Sequence, residues 1–157
     1  KGYYSYDQGT SLECPTISKL INSEHFKKIS EIYCGFKTDP YSLTTMLSLP
    51  QKGEHPVTNF HRDYDDFIYL GFFIYWTDTN ENNGSTTYRL KSHRKDKGAE
   101  KEDKILRVKS GSIIAGDWFG EHRGNSKVSS GKRLLTMIRF GKKINYAYMS
   151  TKSYYFF

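Results

Sequence analysis

The chain has 157 residues, 36% hydrophobic and 26% charged, with 24 basic against 17 acidic side chains and a formal charge of +7. That length gives one domain a real core and excludes two comfortable ones, and no run approaches the roughly 18 apolar residues needed to cross a bilayer. The charge favours acidic partners, whether nucleotides, CoA esters, sugar phosphates or nucleic acid, without choosing among them. Tyr 13 and Phe 10 mean that rings supply much of the buried area, which leans towards β-structure. The start, KGYYSYDQGTS, has neither an apolar signal core nor an initiator Met, as expected of a soluble chain trimmed or excerpted from something longer. Cys14 and Cys34 are spaced like neither a zinc ribbon nor a disulfide scaffold, so reduced thiols and a cytoplasmic setting are expected.

In chain order, residues 16–33 place Ile17, Leu20, Ile21, Ile29 and Ile32 near the helical period, with Pro15 before and Gly35 after. This predicts one amphipathic helix. YSLTTMLSL (41–49) predicts a strand ending at Pro50, and a second strand is expected over 57–62 after the loop PQKGEHP. DFIYLGFFIYW (66–76) is apolar on both alternating faces and reads as a central strand covered on each side. TTYRLKS follows as a strand, and the mixed-charge stretch 93–104 as a solvated loop. Two short strands flank the Gly111 turn, GKRLLTMIRFG is a further strand and NYAYM a last one. Seven or eight short strands with Gly-rich turns behind one helix predict an all-β sandwich or jelly roll.

His61 and Asp63 in FHRDYDDF lie two apart, so on a strand both point to one face while Arg62 points away. That spacing suits two ligands of a 2-His-1-carboxylate site for Fe(II). The second imidazole must come from His25, His55, His93 or His122. His25 falls in the predicted helix, whereas His122 stands between glycines in GDWFGEHRG. If 119–123 and 132–140 are neighbouring antiparallel strands, His122 and Arg133 end close together on one sheet. A guanidinium there grips the far carboxylate of a 2-oxo acid in bidentate fashion.

From Val57 to Gly141 the chain resembles the phytanoyl-CoA dioxygenase family of Fe(II)- and 2-oxoglutarate-dependent oxygenases. The likeness is carried by FHRDYDDF, FFIYWTDTNENNGSTTYRLKSHR, GDWFGEHRGN and GKRLLTMIRFG, in which Arg133 follows His122 by eleven residues. The resemblance implies a double-stranded β-helix, or cupin-like jelly roll, over about 41–149 behind a helical lead-in over about 1–36, together forming a single domain over 1–157. It implies His61, Asp63 and His122 as iron ligands, Arg133 as the clamp for 2-oxoglutarate, and no catalytic role for His93. Ser48 is a looser match to a residue touching the cosubstrate. The implied activity is oxygenation of a small-molecule substrate, with release of succinate and CO2. Because Asp63 is a carboxylate, where related halogenating enzymes have a small residue that admits chloride, hydroxylation is favoured. The lead-in is short and the interval from His61 to His122 compact for the family, which leaves the substrate open; the charge hints at an acidic one.

Phe60, Phe67, Tyr69, Phe73, Tyr75 and Trp118 are candidates for a dry wall around the site, or for ordinary core. Three other readings stand beside the oxygenase. One is a cupin-like module that binds metal or ligand without turnover. Another is a zinc hydrolase using Glu121 as acid or base. The third, a nucleic-acid binder, is disfavoured because the densest basic run, 91–109, contains no aromatic residue.

Overall fold

The apolar run in the middle of the chain becomes the strand around which the molecule is layered. A computed structural model describes residues 2–50, 59–64, 66, 68–94, 102–124 and 130–142. The elements run β1 (Tyr3–Tyr6), α1 (Gln8–Leu12), α2 (Pro15–Ile21), α3 (Glu24–Cys34), β2 (Asp39–Ser48), β3 (Leu70–Tyr75), β4 (Thr86–Arg89), β5 (Asp103–Leu106), β6 (Ile113–Gly116), β7 (His122–Gly124) and β8 (Arg133–Gly141). A five-stranded sheet has the order β1-β2-β8-β3-β6 and a three-stranded sheet the order β5-β4-β7, with every neighbouring pair antiparallel. An isolated bridge between His61 and His122 extends the smaller sheet past β7. With the His61 bridge counted between β2 and β3, the chain from β2 onward alternates between the sheets, broken only by the β4–β5 pair, which is the winding of a double-stranded β-helix.

The period-2 pattern of β3 divides the core. Leu70, Phe72 and Ile74 face the helices with Leu43, Ile138 and Phe140, against Ile17, Ile21 and Phe26. The Phe26 ring stacks on Phe72 at 4.1 Å between centroids. Tyr69, Phe73 and Tyr75 turn the other way and pack with Trp118, Leu135 and Met137 between the two sheets. All six residues of β3 are buried, as the two-faced apolar run requires. Flanking Ile68 is exposed and Trp76 half-buried, so the covered strand is shorter than 66–76.

The single helix expected over 16–33 is two. Ser23 caps the start of α3 in extended conformation, and a new set of buried positions begins: Phe26, Ser30 and Cys34, four residues apart. Ile29 and Ile32 therefore face outward, Ile32 with 75% exposure. Gly35 ends α3 at φ 77°, its amide bonding the Glu31 carbonyl at 2.9 Å, as a left-handed cap requires. The strand expected over 41–49 is β2. Of 57–62, residues 57 and 58 lie outside the described residues and the rest contribute only the His61 bridge. Asp103 and Lys104, expected in a loop, belong to β5 because they pair with Arg89 and Tyr88; 95–101 and the strand expected at 145–149 lie outside the described residues. Both cysteines are free, and no helix among the described residues is long and apolar enough to cross a membrane.

Candidate metal centre

Two backbone hydrogen bonds build the site. The His61 amide donates to the His122 carbonyl and the His122 amide to the His61 carbonyl, both at 2.9 Å. Such a reciprocal pair directs both side chains to the same face, and the imidazole centroids lie 4.5 Å apart. Alternation then brings Asp63 to that face, while Arg62 turns away to the Ser92 and Phe119 carbonyls at 2.7 Å each and to Glu121. The Asp63 amide bonds the Trp118 carbonyl at 3.0 Å, and its own carbonyl accepts from the Tyr69 hydroxyl at 3.0 Å.

Each ring has its Nδ1 held by a carbonyl two residues back: His61 by Asn59 and His122 by Gly120, both at 2.9 Å. A carbonyl only accepts, so Nδ1 carries the proton and the lone pair of the neutral ring sits on Nε2. Both Nε2 atoms lie 3.8 Å from Asp63 Oδ1. The three ligand atoms lie within 4.8 Å of one another, wider than the ~3 Å between adjacent donors of an ion with ~2.1 Å bonds, so the side chains must draw together to share one ion. His122 is 4% exposed. Burial lowers its pKa, and Asp63 and the Gly120 carbonyl only partly oppose this, so the imidazole stays neutral at pH 7. Two imidazoles and one carboxylate with converging ligand atoms are the donor set of a facial triad.

The triad opens into a cavity of about 310 Å³ between the sheets, lined also by Thr86, Phe73, Arg133, Leu135, Met137 and Arg139. Arg133 stands there at 6% exposure, with Nη1 on the Gly84 carbonyl at 2.6 Å and Nη2 on Ser48 Oγ at 3.3 Å. Its Nε is buried without a partner, and among the described residues no carboxylate pairs with the guanidinium. Burial lowers its pKa, the Tyr75 and Tyr3 hydroxyls opposing, and it remains a cation short of an anion.

The expectation that His122 and Arg133 share one sheet is not met. β7 pairs with β4, whereas β8 lies between β2 and β3 in the other sheet, so the two strands belong to different layers. The two side chains meet across the cavity instead. His25 is exposed on α3, His93 half-buried outside the cavity lining, and His55 outside the described residues. Glu121 points to the opposite side of β7's approach, paired with Arg62 at 3.1 Å and Arg89 at 2.8 Å, so it is not placed to serve the triad as acid or base.

Of the expected aromatic wall, Phe73 lines the cavity, Trp118 packs against His122 at 5.1 Å, and Tyr69 and Tyr75 are buried behind them. Phe60 instead lies between the Arg89 and Arg123 guanidiniums, and Phe67 is outside the described residues. The sequence reading missed Arg139, whose Nη2 lies 2.7 Å from Asp63 Oδ2. Its signal was available: it stands six residues after Arg133, on the same face of β8.

No protein-family model matches the chain, and no curated protein matches its sequence. Solved structures do share the fold. AviO1 from Streptomyces viridochromogenes Tue57 has a TM-score of 0.66 at 18% identity, covering 83% of this chain and 62% of its own. SnoN, the non-heme alpha ketoglutarate dependent epimerase from nogalamycin biosynthesis, has a TM-score of 0.69 at 17% identity, covering 88% and 60%. HygX from Streptomyces hygroscopicus, solved with nickel, 2-oxoglutarate and hygromycin B bound, has a TM-score of 0.66 at 15% identity, covering 91% and 71%. The chain thus spans about three fifths of AviO1 and SnoN, and what it shares with all three is the jelly-roll architecture.

Proposed function

We propose that this chain is an Fe(II)- and 2-oxoglutarate-dependent oxygenase that hydroxylates a small molecule, of the phytanoyl-CoA dioxygenase kind, acting as one domain over 1–157 in the cytoplasm. One observation carries the reading: a His61, Asp63, His122 triad with both Nε2 atoms 3.8 Å from one carboxylate oxygen, in the same cavity as a buried arginine that has no anionic partner among the described residues. HygX, with nickel, 2-oxoglutarate and hygromycin B bound, lends support for the cofactors and for a small-molecule substrate.

The chemistry of the residues fits that role: two imidazoles and one carboxylate converge on the cavity. His61 Nε2, His122 Nε2 and Asp63 Oδ1 would hold the ion at the inner end of the cavity they line. Arg133 would take the outer carboxylate of 2-oxoglutarate with its remaining donors, and Ser48 Oγ, its partner across β2 and β8, would steady the fork. When bound, Fe(II) and 2-oxoglutarate supply the reaction with dioxygen that yields succinate, CO2 and oxygenated substrate. Phe73 and Trp118, stacked at 3.5 Å, keep water from the inner wall. Asp63 fills the carboxylate position, which favours hydroxylation over halogenation.

Succinate release from 2-oxoglutarate, measured with Fe(II) under air, tests the proposal. The wild type is expected to form succinate, at least in slow uncoupled turnover, and Asp63→Ala to form none. Metal uptake by the wild type with no succinate over many hours would leave a binding module rather than an oxygenase.

A further inference from the structure

We propose that Arg139 is a positioning residue for Asp63: it takes one carboxylate oxygen and thereby presents the other, alone, to the metal. The inference rests on reading the triad as a metal centre. Alternation along β8 puts Arg133 and Arg139 on one face, six residues and about 20 Å of strand apart. The register gives each a serine on β2: Ser48 opposite Arg133 and Ser42 opposite Arg139, at 3.3 and 3.4 Å. The two cations nevertheless differ in what they face. Among the described residues Arg133 meets no carboxylate, whereas Arg139 Nη2 binds Asp63 Oδ2 at 2.7 Å in a pocket where Arg139 is 8% exposed.

The geometry at Asp63 leaves Arg139 one thing to control. The aspartate backbone is pinned at both ends, by Trp118 and Tyr69. What remains free are χ1, with its staggered rotamers, and the terminal carboxylate torsion, which is broad and two-fold. An unrestrained carboxylate chelates through both oxygens or turns from the imidazoles. With Oδ2 on the guanidinium, Oδ1 is left 3.8 Å from both Nε2 atoms. Partners that orient a ligand in this way sustain metal affinity although they never touch the ion. Electrostatics alone argues the opposite sign, because a guanidinium beside a divalent cation repels it. The direction of the effect therefore separates orientation from charge.

The test is anaerobic Co(II) titration of the full chain, read by calorimetry and by the visible ligand-field spectrum, for wild type, Arg139→Met and Arg139→Lys. Arg139→Met is expected to bind Co(II) about 10- to 100-fold more weakly, with an altered spectrum, and Arg139→Lys to recover part of both. A folded Arg139→Met that binds Co(II) as tightly as wild type or tighter, with the wild-type spectrum, overturns the proposal even if its melting temperature falls. Should Arg139→Met fail to fold, Arg139→Lys decides: an intermediate affinity with a changed spectrum supports positioning, and wild-type values overturn it. A wild type that binds no Co(II) rejects the metal-centre reading itself, and this inference with it.

Discussion

Arg133 is the residue whose environment says most about what the chain binds. A guanidinium at 6% exposure beside a carbonyl and a hydroxyl has lost its water without gaining a counter-charge. A carboxylate entering the cavity supplies that charge. Arg133→Ala should therefore raise the KM for 2-oxoglutarate by roughly 30- to 150-fold, equivalent to about 2–3 kcal/mol of charge-assisted hydrogen bonding. Its Co(II) affinity should stay at the wild-type value, since Arg133 does not touch the triad. Equal loss of both would mean that the variant had collapsed the cavity rather than removed a clamp. At this scale His61 and Asp63 were legible in the sequence, because period-2 alternation requires little more than an extended backbone. His122 and Arg133 needed a family resemblance, since no local pattern says which distant imidazole joins the pair. Arg139 was overlooked because an arginine late in an apolar strand has no meaning until Asp63 is placed across from it.

Among the elements, β3 bears both core layers, and its glycine transmits packing to the site. A Cβ added at Gly71 would stand 2.3 Å from Trp118 Cδ1, and Trp118 packs edge-on against His122 at 5.1 Å. Gly71→Ala should lower stability by about 1–3 kcal/mol through overpacking, and should also weaken Co(II) binding as the indole pushes on the imidazole. Denaturant melts and Co(II) titration of one preparation separate the two effects. Helix α3 makes a chemical prediction. Cys34 at its end is buried, and burial, with the Asp66 and Asp117 carboxylates, pushes its pKa up to about 11. A raised thiol pKa leaves on the order of one molecule in a thousand as thiolate at pH 8. Exposed Cys14 should alkylate within minutes and Cys34 only on unfolding, as mass spectrometry of the labelled chain will read. Faces of α3 were harder to read than strands, because Ile29 and Ile32 continue the period of α2 in sequence while the Ser23 cap resets it in space.

For the molecule as a whole, the sequence conveyed most of the strands, because alternation and turn residues are local, but it did not mark β1 and it expected a strand over 57–62 where only the His61 bridge forms. It did not convey which strands share a sheet. The expected β7–β8 hairpin fails for that reason: sequence neighbours in a jelly roll are commonly partners across the layers rather than within one. The same crossing makes the site, since the triad rises from the smaller sheet and both arginines from the larger, with the cavity between them. Anaerobic addition of Fe(II) and then 2-oxoglutarate, followed by visible absorption, tests this arrangement most directly. The account predicts a weak charge-transfer band from a chelated keto acid in the wild type, absent in Asp63→Ala and restored in Arg133→Ala only at much higher 2-oxoglutarate. No band in the wild type at saturating Fe(II) and 2-oxoglutarate would contradict it.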